Sequence, residues 1–258
     1  MPGSLPLDGG AAAPPAPPLR LEHLSKHFPG RLAVDDLSIT VAAGEIYGLI
    51  GPNGSGKTTT VKLATGLYRP TSGRVLVAGI DLHHEPARAK RLIGYIPDEP
   101  FAYERMSGRE FLHLIGELWG VASAKRAARI EELATLYRIA ELLDGHVDNY
   151  SRGNRQKLAI IAALLHTPRL LIVDEPIVGL DPESAVRTRE LLQEFARGGG
   201  AILVCTHTLS FADAVCHRVG LLRDGRLILE GDLPTLRGAP PHEAGSLEEL
   251  YLHFAAGR

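Results

Sequence analysis

The 258-residue chain has only two cysteines, Cys205 and Cys216, and they match no metal or redox spacing. That excludes a disulfide-stapled or zinc-organised fold, and buried reduced thiols suit a cytosolic protein. The charges nearly cancel, at a formal −2, so no general basic field recommends a nucleic-acid partner. Long apolar runs are missing too. The longest uninterrupted one, residues 158–165, stops at His166, far short of the roughly 20 residues that span a bilayer. A protein of this sequence that works at a membrane needs another chain for the membrane part. Residues 1–19 are rich in Pro, Ala and Gly and lack a basic start followed by an apolar block. They read as a disordered tail rather than a secretory leader. Histidines are scattered, and His83-His84 or His23 with His27 lack the cysteine or carboxylate company of a metal site.

What is present is a set of short apolar segments of changing period. Leu21-Glu22-His23-Leu24, Leu32-Ala33-Val34, Leu37-Ser38-Ile39-Thr40-Val41 and Arg74-Val75-Leu76-Val77 predict strands of an antiparallel sheet. Beyond Met106 the period becomes helical. Ser107 and Glu110 have capping-box spacing, and Phe111, Leu112, Ile115 and Leu118 follow at intervals of three or four. A second helical stripe runs through Ile130, Leu133, Leu136, Ile139 and Leu142, and both stripes read as core packing. Leu170-Leu171-Ile172-Val173 and Ala201-Ile202-Leu203-Val204 are continuous runs of the kind buried in parallel sheets. Asp224-Gly225 between two apolar segments predicts a hairpin.

The strongest motif is Gly51-Pro52-Asn53-Gly54-Ser55-Gly56-Lys57-Thr58-Thr59, delivered by the strand-like Ile46-Tyr47-Gly48-Leu49-Ile50 and followed by a helix-like run from Thr58 to Leu67. It fits the phosphate-binding loop, in which glycines let backbone N–H groups and a helix N-terminus converge on phosphate oxygens. Lys57 would reach the terminal phosphates, and the Thr58 hydroxyl would bind Mg²⁺. A nucleoside triphosphate site is therefore expected. The run that ends in Asp174-Glu175 puts two carboxylates at the sheet edge where ligands of α/β folds bind. Asp174 would hold Mg²⁺, and Glu175 would orient or deprotonate the attacking water.

Just upstream, Asn149-Tyr150-Ser151-Arg152-Gly153-Asn154-Arg155-Gln156-Lys157-Leu158 resembles the signature motif of ATP-binding cassette (ABC) ATPases. Ser151 and Gly153 match that motif, while Tyr150, Arg152 and Asn154 depart from it; a basic residue in the third place resembles a bacterial exporter branch. The resemblance covers most of the chain. By it, Phe28 is the aromatic that stacks on adenine, Asp181 belongs to the D-loop, and His207 is the switch histidine at the γ-phosphate. Asp98 stands where the family usually has glutamine, and it is a candidate oxygen ligand for Mg²⁺.

The resemblance implies an α/β fold of the phosphate-loop NTPase type with an antiparallel β part and a helical subdomain at about 101–166. The ATPase domain would span 20–235, with a C-terminal extension at 236–258. It implies ATP and Mg²⁺ as ligands and a homodimer or heterodimer whose signature residues Ser151, Arg152, Gly153 and Asn154 act on the neighbour's nucleotide. It also implies a separate membrane-spanning permease at the cytoplasmic face of the membrane, with export favoured over import. Phe101-Ala102-Tyr103-Glu104 is a candidate docking segment for that permease, the alternative being plain packing within the helical part. The ending Ser246-Leu247-Glu248-Glu249-Leu250-Tyr251 resembles exporter-type tails. A soluble ABC-type ATPase would share every catalytic motif. A kinase or GTPase would share only the phosphate loop, and the guanine-reading Asn-Lys-x-Asp pattern is absent from the sequence.

Overall fold

A computed structural model describes residues 15–103, 105–238 and 246–256. Strands β1 (Leu19–Phe28) and β2 (Arg31–Val41) form a hairpin, and β3 (Ile46–Ile50) leads into α1 (Lys57–Ala64). Next come β4 (Ser72–Val77), β5 (Ile80–Asp81), α2 (Pro86–Lys90) and β6 (Ile93–Ile96). The helical part holds α3 (Gly108–Leu118), α4 (Ser123–Leu136) and α5 (Arg152–Leu164). The chain then alternates through β7 (Leu170–Asp174), α6 (Pro182–Arg197), β8 (Ala201–Thr206) and α7 (Leu209–Val215). It closes with β9 (Arg218–Arg223), β10 (Arg226–Asp232), α8 (Leu233–Gly238) and α9 (Leu247–Ala256).

The strands form two sheets, an antiparallel one in the order β2-β1-β4-β5 and a six-stranded one in the order β10-β9-β3-β8-β7-β6. All neighbours in the second sheet run parallel except β10, which returns antiparallel to β9 through Asp224-Gly225. Its central strands are buried on both faces, and the period of two sorts their side chains between two cores. Ile46, Ile50, Leu171, Val173, Ile202 and Val204 face the helical side. Tyr47, Leu49, Leu170, Ile172, Leu203 and Cys205 face the antiparallel sheet. Register aligns the strand ends: Ile50 pairs with Thr206, and Asp174 pairs with Cys205. Residues 51, 175 and 207 therefore leave one carboxyl edge together.

Several expectations change in the fold. The separate strands expected at 21–24, 32–34 and 37–41 are two continuous strands with bulges, and His23 and Asp36 take positive φ at those irregularities. The His23 ring lies 2.9 Å from the Asp36 carboxylate. The second helical stripe is cut short, because α4 ends at Leu136 and Arg138 turns left-handed at φ 54°. The Ile139 N–H then bonds back to Ala134 O at 2.9 Å, a reversal that leaves Leu142 in a separate short 3-10 turn. Leu118, expected in the core, is 73% exposed. The capping box of Ser107 and Glu110 is present.

β1 begins at Leu19, inside the stretch expected to be tail, and that residue is fully buried. Residues 1–14 of the expected tail lie outside the described residues, as do 239–245 and 257–258 of the extension. The extension carries α9, whose Leu247 and Leu250 are buried in the helical-side core.

Candidate functional site

Loop 51–56 leaves β3 at the sheet edge, and α1 starts directly after it. Gly56 has φ 111°, and a Cβ there would run into the Ala33 carbonyl oxygen; a Cβ on Gly51 would strike the Leu222 carbonyl. Only glycine lets the loop curl so closely that its N–H groups point at an anion before the helix. Lys57 Nζ donates to Gly51 O at 2.7 Å and to Pro52 O at 3.1 Å. Ser55 Oγ is buried without a hydrogen-bond partner. An orphaned hydroxyl in such a cradle fits a phosphate oxygen, since leaving it unpaired costs about 1–3 kcal/mol. Sequence motifs miss Arg31, whose guanidinium donates to Gly54 O at 2.7 Å and lines the same cleft. Its strand and the loop are brought together only by the fold.

Asp174 and Glu175 end β7 beside this loop and have different environments. Burial, reinforced by the negative charges of Glu175 and Asp98, raises the Asp174 carboxyl to about 6; Lys57 and the Thr58 hydroxyl pull the other way. Glu175 is buried and holds φ 50°, an uncommon conformation for a residue with a side chain. Such strain costs of order 1–3 kcal/mol and persists where surrounding contacts over-determine it. The contacts are these: its carboxylate accepts from Thr206 Oγ1 at 2.8 Å, from the His207 backbone N–H at 2.9 Å and from His207 Nδ1 at 2.6 Å. The two residues expected to be catalytic thus form one unit.

The signature segment starts α5. Ser151 is its N-cap, accepting from the Asn154 N–H at 3.2 Å, and Arg152 is its first helical residue. Arg152 lies 3.3 Å from Asp98 of its own chain, and Gly153 packs on the Gly179 carbonyl. Asp181 caps α6: it accepts from Ser184 N at 2.9 Å and from Ser184 Oγ at 2.7 Å, and it meets Lys157 Nζ at 3.0 Å. Those bonds, the backbone one foremost, hold its carboxyl well below the usual range.

One cleft of about 390 Å³ gathers Lys57, Thr58, Thr59, Asp98, Arg152, Glu175 and His207. Phe28 lies outside its lining, half-buried and edge-on to Tyr68 at 5.6 Å, with the Lys26 ammonium 5.1 Å over its ring. Among the described residues no group of three or more His, Cys, Asp or Glu could hold a metal by itself. The Thr58 hydroxyl with the Asp98 and Asp174 carboxylates is a hard-oxygen set that suits Mg²⁺ in company with phosphate oxygens and water.

The family model described as ABC transporter matches residues 34–178, from β2 through the carboxylate pair. The chain belongs to that family. It is 38% identical to the ABC transporter ATP-binding protein YhcH of Bacillus subtilis, over 81% of this chain and 68% of that protein. It is 34% identical to the daunorubicin/doxorubicin resistance ATP-binding protein DrrA of Streptomyces peucetius, over 91% of this chain and 70% of that one. A solved ATP-binding subunit of an ABC transporter superposes with a TM-score of 0.87 at 33% identity, covering 92% of this chain and 99% of the other. As an ABC transporter ATP-binding subunit, the protein binds and hydrolyses ATP.

Proposed function

We propose that the chain is the peripheral ATPase of an exporter, working as a dimer in which the signature turn of one subunit completes the nucleotide site of the other. The observation that carries this reading is the outward-facing start of the signature helix, of which only Arg152 reaches the cleft of its own chain. Lys57, Glu175 and His207 share a cleft, whereas the exposed Ser151 caps a helix whose free N–H groups favour an anion from outside the chain. In turnover Lys57 leaves the carbonyls of Gly51 and Pro52 for the phosphates. Glu175 takes a proton from the attacking water, and His207, anchored by that carboxylate, turns its other face to the γ-phosphate. Phe28 is the aromatic that would stack on adenine. Mg²⁺, held by Thr58, Asp174 and Asp98, would neutralise charge developing on the phosphate oxygens.

Export is supported by the resistance function in the name of the Streptomyces relative. Among the described residues no helix is long and apolar enough to cross a membrane, so translocation requires a membrane-spanning partner. A groove of about 430 Å³ between the sheet edge and the helical part, lined by Tyr95, Pro97, Phe101, Phe111 and Ile115, is our docking surface for a short helix of that partner. Phe101 stands 71% exposed at its rim; Glu104 of the expected docking segment lies outside the described residues. The test is the Glu175→Gln variant with Mg²⁺-ATP in light scattering. A dimer is expected, and a persistent monomer with bound ATP sinks the composite-site reading. Inside-out vesicles carrying the protein with a candidate membrane-spanning partner would then accumulate substrate only with ATP.

A further inference from the structure

Two departures from the usual family pattern, the acid at position 98 and the base at position 152, meet in space. Arg152 Nη2 lies 3.3 Å from Asp98 Oδ1, joining the loop after β6 to the first turn of α5. Packing aims the arginine: its stem lies over Gly179, where a Cβ would come within 3.2 Å of Arg152 Cδ. A second bond ties the same elements one turn further on, as Gln156 Nε2 donates to Pro97 O at 3.3 Å. Both charged groups line the cleft that holds Lys57, Thr58 and Glu175.

We propose that Asp98 and Arg152 form an exchangeable pair, in which Arg152 of the same chain holds the Asp98 carboxylate until magnesium and nucleotide phosphate claim the two charges. Separation of the pair then frees the first turn of α5 to face the neighbouring subunit. The inference rests on the reading of Asp98 as a metal donor. Its physical basis is charge bookkeeping at the rim. Asp98 adds to the negative field on Asp174, and unpaired it would repel an incoming phosphate. Arg152 cancels that charge before the metal arrives and is itself attracted to phosphate afterwards. A half-exposed pair of this kind is weak, which suits a contact that opens in every cycle. Each group is a positioning residue for the other.

Two measurements on the full chain test the exchange. The first is hydrogen exchange of amides 97–100 and 153–157 without nucleotide or metal, for Asp98→Asn, Arg152→Gln and the double variant. Each single change should speed exchange by about two- to fivefold, and the double variant should be no faster than either. Additive effects overturn the pair. The second is affinity for a fluorescent ATP analogue with EDTA and with Mg²⁺. Arg152→Gln should change the advantage conferred by Mg²⁺ about two- to fivefold, and Arg152→Lys should restore its original size. An unchanged advantage with a coupled first cycle makes the pair static and overturns the exchange. If Asp98→Asn leaves the advantage intact, the metal role of Asp98 fails, and this failure is distinct because the first measurement contains no metal.

Discussion

The Glu175 carboxylate accepts from both the ring Nδ1 and the backbone N–H of His207, at 2.6 Å and 2.9 Å. With Glu175 ionised its carboxylate is an acceptor only, so Nδ1 carries the proton in this contact. The strand register that sets β7 beside β8 makes the contact possible, and the positive φ of Glu175 aims the side chain across it.

Glu175→Gln should bind ATP and lose hydrolysis by a factor of roughly 10² to 10⁴, because an amide cannot take the proton from water. His207→Ala should lower turnover while leaving ATP affinity nearly intact. Single-turnover phosphate release checks both. Near-normal release by Glu175→Gln would remove it as general base.

Lys57→Ala should weaken ATP binding by about 1.5–3 kcal/mol, the usual range for hydrogen bonds to a charged group. Ser151→Ala should leave the monomer's affinity unchanged and impair closure, at about 1 kcal/mol of helix stability for the lost cap. Purified heterodimers of the two variants should keep one intact site able to trap nucleotide. Equal damage at both sites rules out assembly in trans. Gly153→Asp is a poorer probe, since a side chain there collides with the chain's own Gly179 carbonyl.

Phe101→Glu should change stability by less than about 0.5 kcal/mol, because the ring is mostly solvent-facing. ATPase activity of the isolated protein should be unaltered, while recovery with the membrane partner should fall. Undiminished recovery would move the docking surface elsewhere.

Asp174 gives a pH signature in the nucleotide-free, metal-free protein. Its folded value, about 6, lies above the ordinary aspartate value of 3.8, so its contribution to stability is complete below the unfolded value and is lost as pH rises through about 6. At pH 8 that loss is on the order of 3 kcal/mol. Asp174→Asn should therefore stabilise the protein at pH 8 and make little difference below pH 4. Urea unfolding at the two pH values decides this, and a gain of equal size at both would exclude a buried charge as the cause.

Local chemistry determined much of this protein before any folding is considered. Phosphate cradling needs glycines at fixed offsets from Lys57 and Thr58, and a buried strand ending in two acids is its own signal. The Ser107 capping box and the Asp224-Gly225 hairpin are likewise written in adjacent residues. Where the outcome depended on segments far apart, local pattern was insufficient. No glycine marks the end of α4, where Arg138 takes the left-handed turn, so the helical stripe reads on into Leu142. The bulges at His23 and Asp36 keep apolar alternation in fragments although the ladder is continuous. Arg31 meets Gly54, Arg152 meets Asp98, and Glu175 meets His207 only because tertiary packing closes loops of tens of residues. Residue type specifies what each group can do; the register of β3, β7 and β8 decides which groups do it together.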